Sequence, residues 1–144
     1  MNIEKRNSEG YADPTAFEAM TKIAKEEKAK NSAFRPLVYI CSPYSGDIET
    51  NVEAAKRYSR LAVDKGCIPL TPHLLFPRFL DDDIPEEREL GLFFGNILMS
   101  KCREMWVCGD CVSSGMEAEI ARAKQKNMII RAVSTDCKEV TSYA

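Results

Sequence analysis

Leu37-Val38-Tyr39-Ile40-Cys41-Ser42-Pro43-Tyr44-Ser45-Gly46 decides the fold. Its first five residues are a continuous apolar run with β-branched and aromatic side chains, the pattern of a central strand covered on both faces. Ser42 to Asp47 then turn the chain, with Pro and Gly among them. A helix is expected from about Glu49 to Lys65. Val52, Ala55, Tyr58, Ala62 and Val63 face inward, and Gly66 supplies the stop.

Downstream, Cys67-Ile68-Pro69-Leu70-Thr71 reads as a second strand. Its proline restricts the hydrogen-bond ladder and places it at or near a sheet edge. Pro72 to Asp83 read as an irregular loop. Pro85 opens a helix to about Cys102 over Leu90, Phe93, Phe94, Ile97 and Leu98. Met105-Trp106-Val107-Cys108 is a third strand, Gly115 to Lys126 a helix, and Met128 to Val133 a fourth strand. Upstream, residues 1–12 read as a loose tail. Asp13-Pro14-Thr15 opens a surface helix to about Lys30, with Phe17, Met20, Ile23 and Ala24 on one stripe. The organisation is therefore a tail and helix (1–35), an α/β domain (36–133) and a polar C-terminal tail (134–144).

The order β-α-β-α-β-α-β, joined by crossovers of one hand, predicts a Rossmann-like three-layer α/β domain: a four-stranded parallel sheet with helices on both faces. With strand order 2-1-3-4, the order reverses between strands one and three. Ligands in such sheets bind at the carboxyl ends of the strands beside that reversal. Topology thus selects two segments, Cys41–Gly46 and Gly109–Gly115.

Composition narrows the function classes. Over 144 residues the net charge is −2, with 44% hydrophobic and 29% charged residues, the balance of a globular domain with no global field to attract nucleic acid. There is no basic run, no signal-like N-terminus and no long apolar segment, so a cytoplasmic protein without a membrane or nucleic-acid polymer as partner is expected. The six cysteines are then expected as thiols. Cys108-Gly109-Asp110-Cys111 has C-x-x-C spacing, but no second pair accompanies it and it does not open a helix, so no metal or cofactor is called for. Asp81-Asp82-Asp83 lacks the spaced ligands of a cation loop and reads as a solvated turn.

Among residues able to carry chemistry, the helix start at 113–119 is the most informative. Ser114-Gly115-Met116-Glu117 fits a capping box, with Ser114 as N-cap and Glu117 reaching back to it. Glu119 lies about 200° round the helix from Glu117, so it cannot share that role. It borders the stripe Met116, Ile120, Ala123. On position alone it reads equally as a partly desolvated carboxylate at the sheet end or as a solvated partner of Arg122. Ser113, Ser114 and the free N–H groups behind them suit an anion such as phosphate, as well as plain capping. Ser42, Ser45 and Gly46 offer the same on the other side. Tyr44 stands at the tip of that loop, where a ring could stack on a base or simply pack on its neighbours. His73, the one histidine, follows strand two on the ligand side, in either a structural or a functional role.

Together, Val38 to Gly46, Asn51, Thr71-Pro72-His73, and Ser113-Ser114-Gly115-Met116 with Glu119-Ile120-Ala121-Arg122-Ala123 resemble the nucleoside 2-deoxyribosyltransferase-like superfamily. Within it they are nearest a branch of domain-of-unknown-function proteins found in bacteria and phages. The resemblance covers residues 36–132. It implies that Glu119 attacks the anomeric carbon of a deoxyribose, the base departs, and water or another base resolves the glycosyl ester. It also implies that Ser113 or Ser114, with Gly115 and Met116, contacts the sugar or a 5′-phosphate and that Tyr44 holds base or pentose. A homodimer or larger homo-oligomer is expected by the same analogy.

Two features depart from that pattern. Where characterised members carry an Asp before the third strand, this chain has Asn96, which can hydrogen-bond but not act as a general acid, leaving Asp110 or His73 as donors. The N-terminal helix lies outside the common core. The leading reading is an enzyme cleaving or transferring the N-glycosidic bond of a nucleoside or nucleotide. The alternative is a non-catalytic sensor or sequestering protein that binds such a ligand in the same pocket.

Overall fold

The computed structural model describes residues 14–32 and 34–143. The chain divides into two compact units, up to Phe34 and from Arg35 onward. In the first, α1 spans Pro14–Ser32, and Thr21 Oγ1 donates to the Phe17 carbonyl at 2.8 Å. Met20 and Ile23, expected on its apolar stripe, are exposed. The expected tail over residues 1–12 and the Asp13 cap lie outside the described residues. No described helix is long and apolar enough to cross a membrane.

The second unit has the expected α/β architecture. Its strands are β1 (Leu37–Cys41), β2 (Ile68–Leu70), β3 (Glu104–Cys108), β4 (Ile129–Val133) and β5 (Val140–Ser142). Their order is β2-β1-β3-β4-β5, parallel except for the antiparallel β4–β5 pair. The predicted 2-1-3-4 order is present. The four-strand expectation is corrected to five, because part of the segment read as a polar tail pairs with β4, setting Val140 against Val133 and Ser142 against Arg131. Pro69 sits on the outermost strand, where a missing N–H interrupts no further ladder.

Strand alternation divides the core into two layers. Tyr39, Cys41, Met105 and Val107 face one side, against Met99, Met116, Ile120 and Ala123. Val38, Ile40, Trp106 and Cys108 face the other, against Tyr58 and Ala62. The second layer is covered by α2 (Ile48–Asp64), the first by α4 (Pro85–Met99) and α5 (Ser114–Gln125). Asp47 caps α2, accepting from the Thr50 N–H at 3.2 Å, and Gly66 follows with φ +78, as a helix stop requires.

Two local expectations change. The irregular loop after β2 contains a one-turn helix α3 (Pro72–Leu75) and a 3₁₀ turn (Phe76–Arg78). In α4, Leu90, Phe93 and Ile97 do not face the core but are exposed, while Gly95 and Met99 are buried. Gly95 lies over Tyr39, where a Cβ would stand at ordinary contact distance, 3.5 Å from the hydroxyl.

Candidate active site

The carboxyl ends of β1 and β3 open into a cavity of about 420 Å³, within the range of small-molecule sites. Its first wall is the loop after β1. Asn51 Nδ2 donates to the carbonyls of Tyr44 and Ser45 at 2.9 and 3.1 Å, which pins the loop to α2. Ser42, which lines the cavity, is 1% exposed, and its Oγ has no partner among the described residues. Buried hydroxyls are rarely left so, and a water or a ligand group would satisfy this one. Tyr44 stacks on His73, with ring centroids 5.0 Å apart and planes at 22°. The His73 ring donates to the Ser42 carbonyl, while burial pulls its pKa below the usual value and favours the neutral imidazole.

The second wall is the start of α5. Ser113, not Ser114, is the N-cap: its Oγ accepts from the Met116 N–H at 3.3 Å. The reciprocal acceptor is the Met116 thioether, 3.5 Å from the Ser113 N–H. This corrects the box expected from Ser114 and Glu117. With the cap one residue earlier, Glu117 is past the position that could reach back, and it is exposed. Ser113, Ser114, Gly115 and Met116 all line the cavity.

One turn deeper on the same helix, Glu119 also lines the cavity. Burial pushes its carboxyl up to about 7, while a hydrogen bond from the Tyr39 hydroxyl and the nearby Arg122 guanidinium pull the other way. Desolvation wins because two favourable partners do not replace the water a carboxylate loses. Reciprocally, burial and the neighbouring Glu119 hold the Tyr39 phenol well above its ordinary value, so it acts as a donor and stays neutral. The solvated reading of Glu119 gives way to the partly desolvated one.

The third wall is α4, which contributes Gly91, Gly95 and Asn96. Asn96 Oδ1 is buried and has no partner among the described residues. Two buried polar atoms, Ser42 Oγ and Asn96 Oδ1, are thus unsatisfied in one cavity.

Most residues picked out by sequence reasoning are gathered here: Ser42, Tyr44, Ser45, His73, Asn96, the 113–116 run and Glu119. Gly46 and Asp110 are not. Gly46, at φ +98, shapes the turn without lining the cavity. Asp110 is exposed, and its electrostatic neighbour is Tyr58, on the α2 layer. Sequence reasoning missed Tyr39, Arg88 and Arg122 as lining residues. In the C-x-x-C, Cys108 is buried and its thiol is driven well up, whereas Cys111 is exposed. Among the described residues, no group of three or more His, Cys, Asp or Glu side chains is arranged to hold a metal ion.

No curated protein matches the chain. Among solved structures, it is similar to the 2-deoxyribosyltransferase of the psychrotolerant bacterium Bacillus psychrosaccharolyticus. The two share 13% identity at a TM-score of 0.59, over 74% of this chain and 77% of that one. At that identity the likeness is one of fold. Residues 36–133, most of the second compact unit, match the family described as Domain of unknown function (DUF7768), and the chain belongs to that family.

Proposed function

We propose that the cavity binds a deoxynucleoside or its 5′-monophosphate and that Glu119 cleaves the N-glycosidic bond. The observation that carries the reading is Glu119 itself. It is a largely desolvated carboxylate with a hydroxyl donor on it, lining a cavity that also holds two unsatisfied polar atoms. A buried carboxylate disfavours its own charge and is stabilised by a cationic centre brought against it, here the oxocarbenium-like anomeric carbon. In the first step a Glu119 oxygen bonds to C1′ and the C1′–N bond breaks. The electron pair leaves with the base, which takes a proton from water. In the second step water, or a second base, attacks C1′ and displaces the carboxylate.

The other groups divide the ligand among them. Ser113, Ser114 and the N–H groups at the start of α5 take a 5′-phosphate or sugar hydroxyl, supported by the helix dipole. The Tyr44–His73 stack offers a flat surface to the base. Asp110 has no part, since it lies outside the cavity lining. His73 is held neutral and its N–H is engaged on Ser42, so it orients the loop more readily than it protonates a leaving group.

Asn96 favours a second reading. An amide in the wall next to the base supplies no proton, which suits a protein that binds a nucleotide without turning it over. Incubation with deoxynucleosides and their monophosphates, followed by chromatography for free base, separates the two. Turnover lost by about 10³-fold or more in Glu119→Ala but kept in Glu117→Ala supports the enzyme. Tight binding without release of base, indifferent to Glu119→Gln, supports the binding protein.

A further inference from the structure

The cleavage assigned to Glu119 leaves one charge unanswered. As the C1′–N bond breaks, its electron pair makes the departing base an anion, and the cavity holds no evident proton donor for it. Asn96 has no proton to give, and Asp110 lies outside the lining. The Tyr39 hydroxyl is engaged on Glu119, and His73 is held neutral with its N–H on the Ser42 carbonyl. Asp82 and Glu87 line the cavity from the start of α4, where Glu87 accepts from the Asp81 N–H at 3.3 Å. Two cations line it as well, Arg88 and Arg122. A guanidinium keeps its protons, so it stabilises an anion by charge and hydrogen bonds alone.

Depth in the cavity decides which arginine stands by the breaking bond. The two helices lead into β3 and β4, whose first residues, Glu104 and Ile129, are register partners. Counted back from the helix ends at Met99 and Gln125, Asn96 and Arg122 each stand three residues in, so they reach the cavity at about the same depth. Arg88 is exposed and lies about 12 Å from Asn96 along α4. Arg122 also follows Glu119 by three residues, on one side of α5. It is half-buried and acts on the Glu119 carboxylate electrostatically. Among the described residues it forms neither an ion pair nor a side-chain hydrogen bond, which leaves its donors to a ligand.

We propose that Arg122 is a catalytic residue whose guanidinium takes the charge of the departing base, in place of a proton donor. The inference rests on the reading that Glu119 cleaves an N-glycosidic bond in this cavity. A Glu119 oxygen bonds to C1′, the C1′–N bond breaks, and the electron pair stays on the base as an anion hydrogen-bonded to Arg122. The base takes its proton from water as it leaves, and the arginine transfers nothing. The class of substrate follows. A guanidinium has donors and no acceptor, so it meets the base through carbonyl oxygens and ring nitrogens, where the charge of the anion collects. An exocyclic amine would set donor against donor. The bases favoured are oxo-bases such as hypoxanthine and uracil.

Release of base from deoxynucleosides and their monophosphates tests this at about pH 8.5, above the titration of Glu119 near 7, so that the nucleophile is ionised throughout. Arg122→Gln is expected to lower kcat about 10²- to 10³-fold on deoxyinosine and deoxyuridine, and Arg122→Lys, which keeps the charge, to stay within about tenfold of the parent. On 4-nitrophenyl 2-deoxyriboside, whose leaving group is a stable anion unaided, Arg122→Gln loses less than about tenfold. The parent favours deoxyinosine over deoxyadenosine by about tenfold, and Arg122→Gln brings the two within about threefold. An equal loss on the nucleosides and the nitrophenyl substrate makes Arg122 a structural residue and overturns the proposal. So does a rate unchanged in Arg122→Gln while Glu119→Ala is inactive, and in both cases the reading of Glu119 survives. A parent that releases base from none of these substrates overturns that reading and this inference with it.

Discussion

The two helices that flank the cavity on one face of the sheet, α5 and α4, are held in place very differently. Over its 12 residues α5 buries Met116, Ile120 and Ala123, one stripe at helical spacing, and its first turn is closed by Ser113 and Met116. Over its 15 residues α4 buries Gly95 and Met99, starts from Ile84 with no side-chain cap, and presents large apolar residues to solvent. The carboxylate proposed to react thus rides on the wall the core fixes. The amide that would read the base rides on the wall the core holds loosely. Catalytic geometry tolerates little displacement, whereas a binding wall gains by adapting.

Truncating one apolar side chain on the stripe of each helix tests that contrast at its largest. Met116→Ala removes a 1% exposed side chain under α5 and is expected to cost about 2–5 kcal/mol in urea unfolding. Phe93→Ala on α4 should cost the monomer well under about 1 kcal/mol, since its ring is 59% exposed. Equal costs would mean that the outward stripe of α4 is packed as closely as the inward stripe of α5.

A charge test on α5 comes next. The Glu119 carboxyl is raised from 4.5 to about 7, so folding favours its protonated form. Its ionisation therefore opposes folding, with no penalty below about pH 4.5 and the full penalty above about pH 7. Glu119→Gln removes the charge and should stabilise the protein by about 2 kcal/mol at pH 8 while leaving it unchanged near pH 4. That figure is below the full conversion of the shift, because the side chain keeps some contact with water. A variant less stable than the parent at pH 8 would show that the site favours the anion even without ligand. For the proposed reaction the same shift places the acid limb of kcat/KM near pH 7, since Glu119 would have to be ionised to attack. Tyr39→Phe removes a hydrogen bond that lowers the Glu119 pKa, so the limb moves to higher pH and the rate falls by up to about tenfold at neutral pH. An unmoved limb would free Tyr39 from that role.

The contrast also explains what could be read from the amino-acid order. Strands β1, β3 and β4 are unbroken apolar runs, and Pro69, Pro85 and Gly66 punctuate at positions where only backbone chemistry matters, so the sheet order and the reversal point follow. Val140-Thr141-Ser142 carries no such signal, because β5 exists through pairing with a strand already formed. Tyr39 was hidden inside a run read only for its hydrophobicity. The overlooked clue is that a buried tyrosine in a doubly covered strand needs a partner for its hydroxyl, and the partner proves to be Glu119. On α4, helical spacing correctly found an apolar stripe but could not say that it faces outward. The core-facing positions are a glycine and a methionine, with Gly95 lying over the Tyr39 hydroxyl. Sequence periodicity reports that a face is apolar, not what covers it.

The smallest test returns to the first turn of α5, where pattern and structure differ by one residue. Ser113 and Ser114 are both able caps, and Glu117 makes the Ser114 register look complete. The structure chooses Ser113, because that register brings the buried Met116 to the third helical position, where its thioether serves the core and accepts from the cap N–H at once. Ser113→Ala should then cost about 1 kcal/mol in thermal or urea unfolding, and Glu117→Ala nearly nothing. Ser113 also lines the cavity, so its loss weakens ligand binding as well as the helix start, whereas Glu117→Ala spares both. The opposite ranking would move the cap to Ser114, shift the first free N–H groups by a residue, and require the phosphate or hydroxyl contacts on this wall to be reassigned.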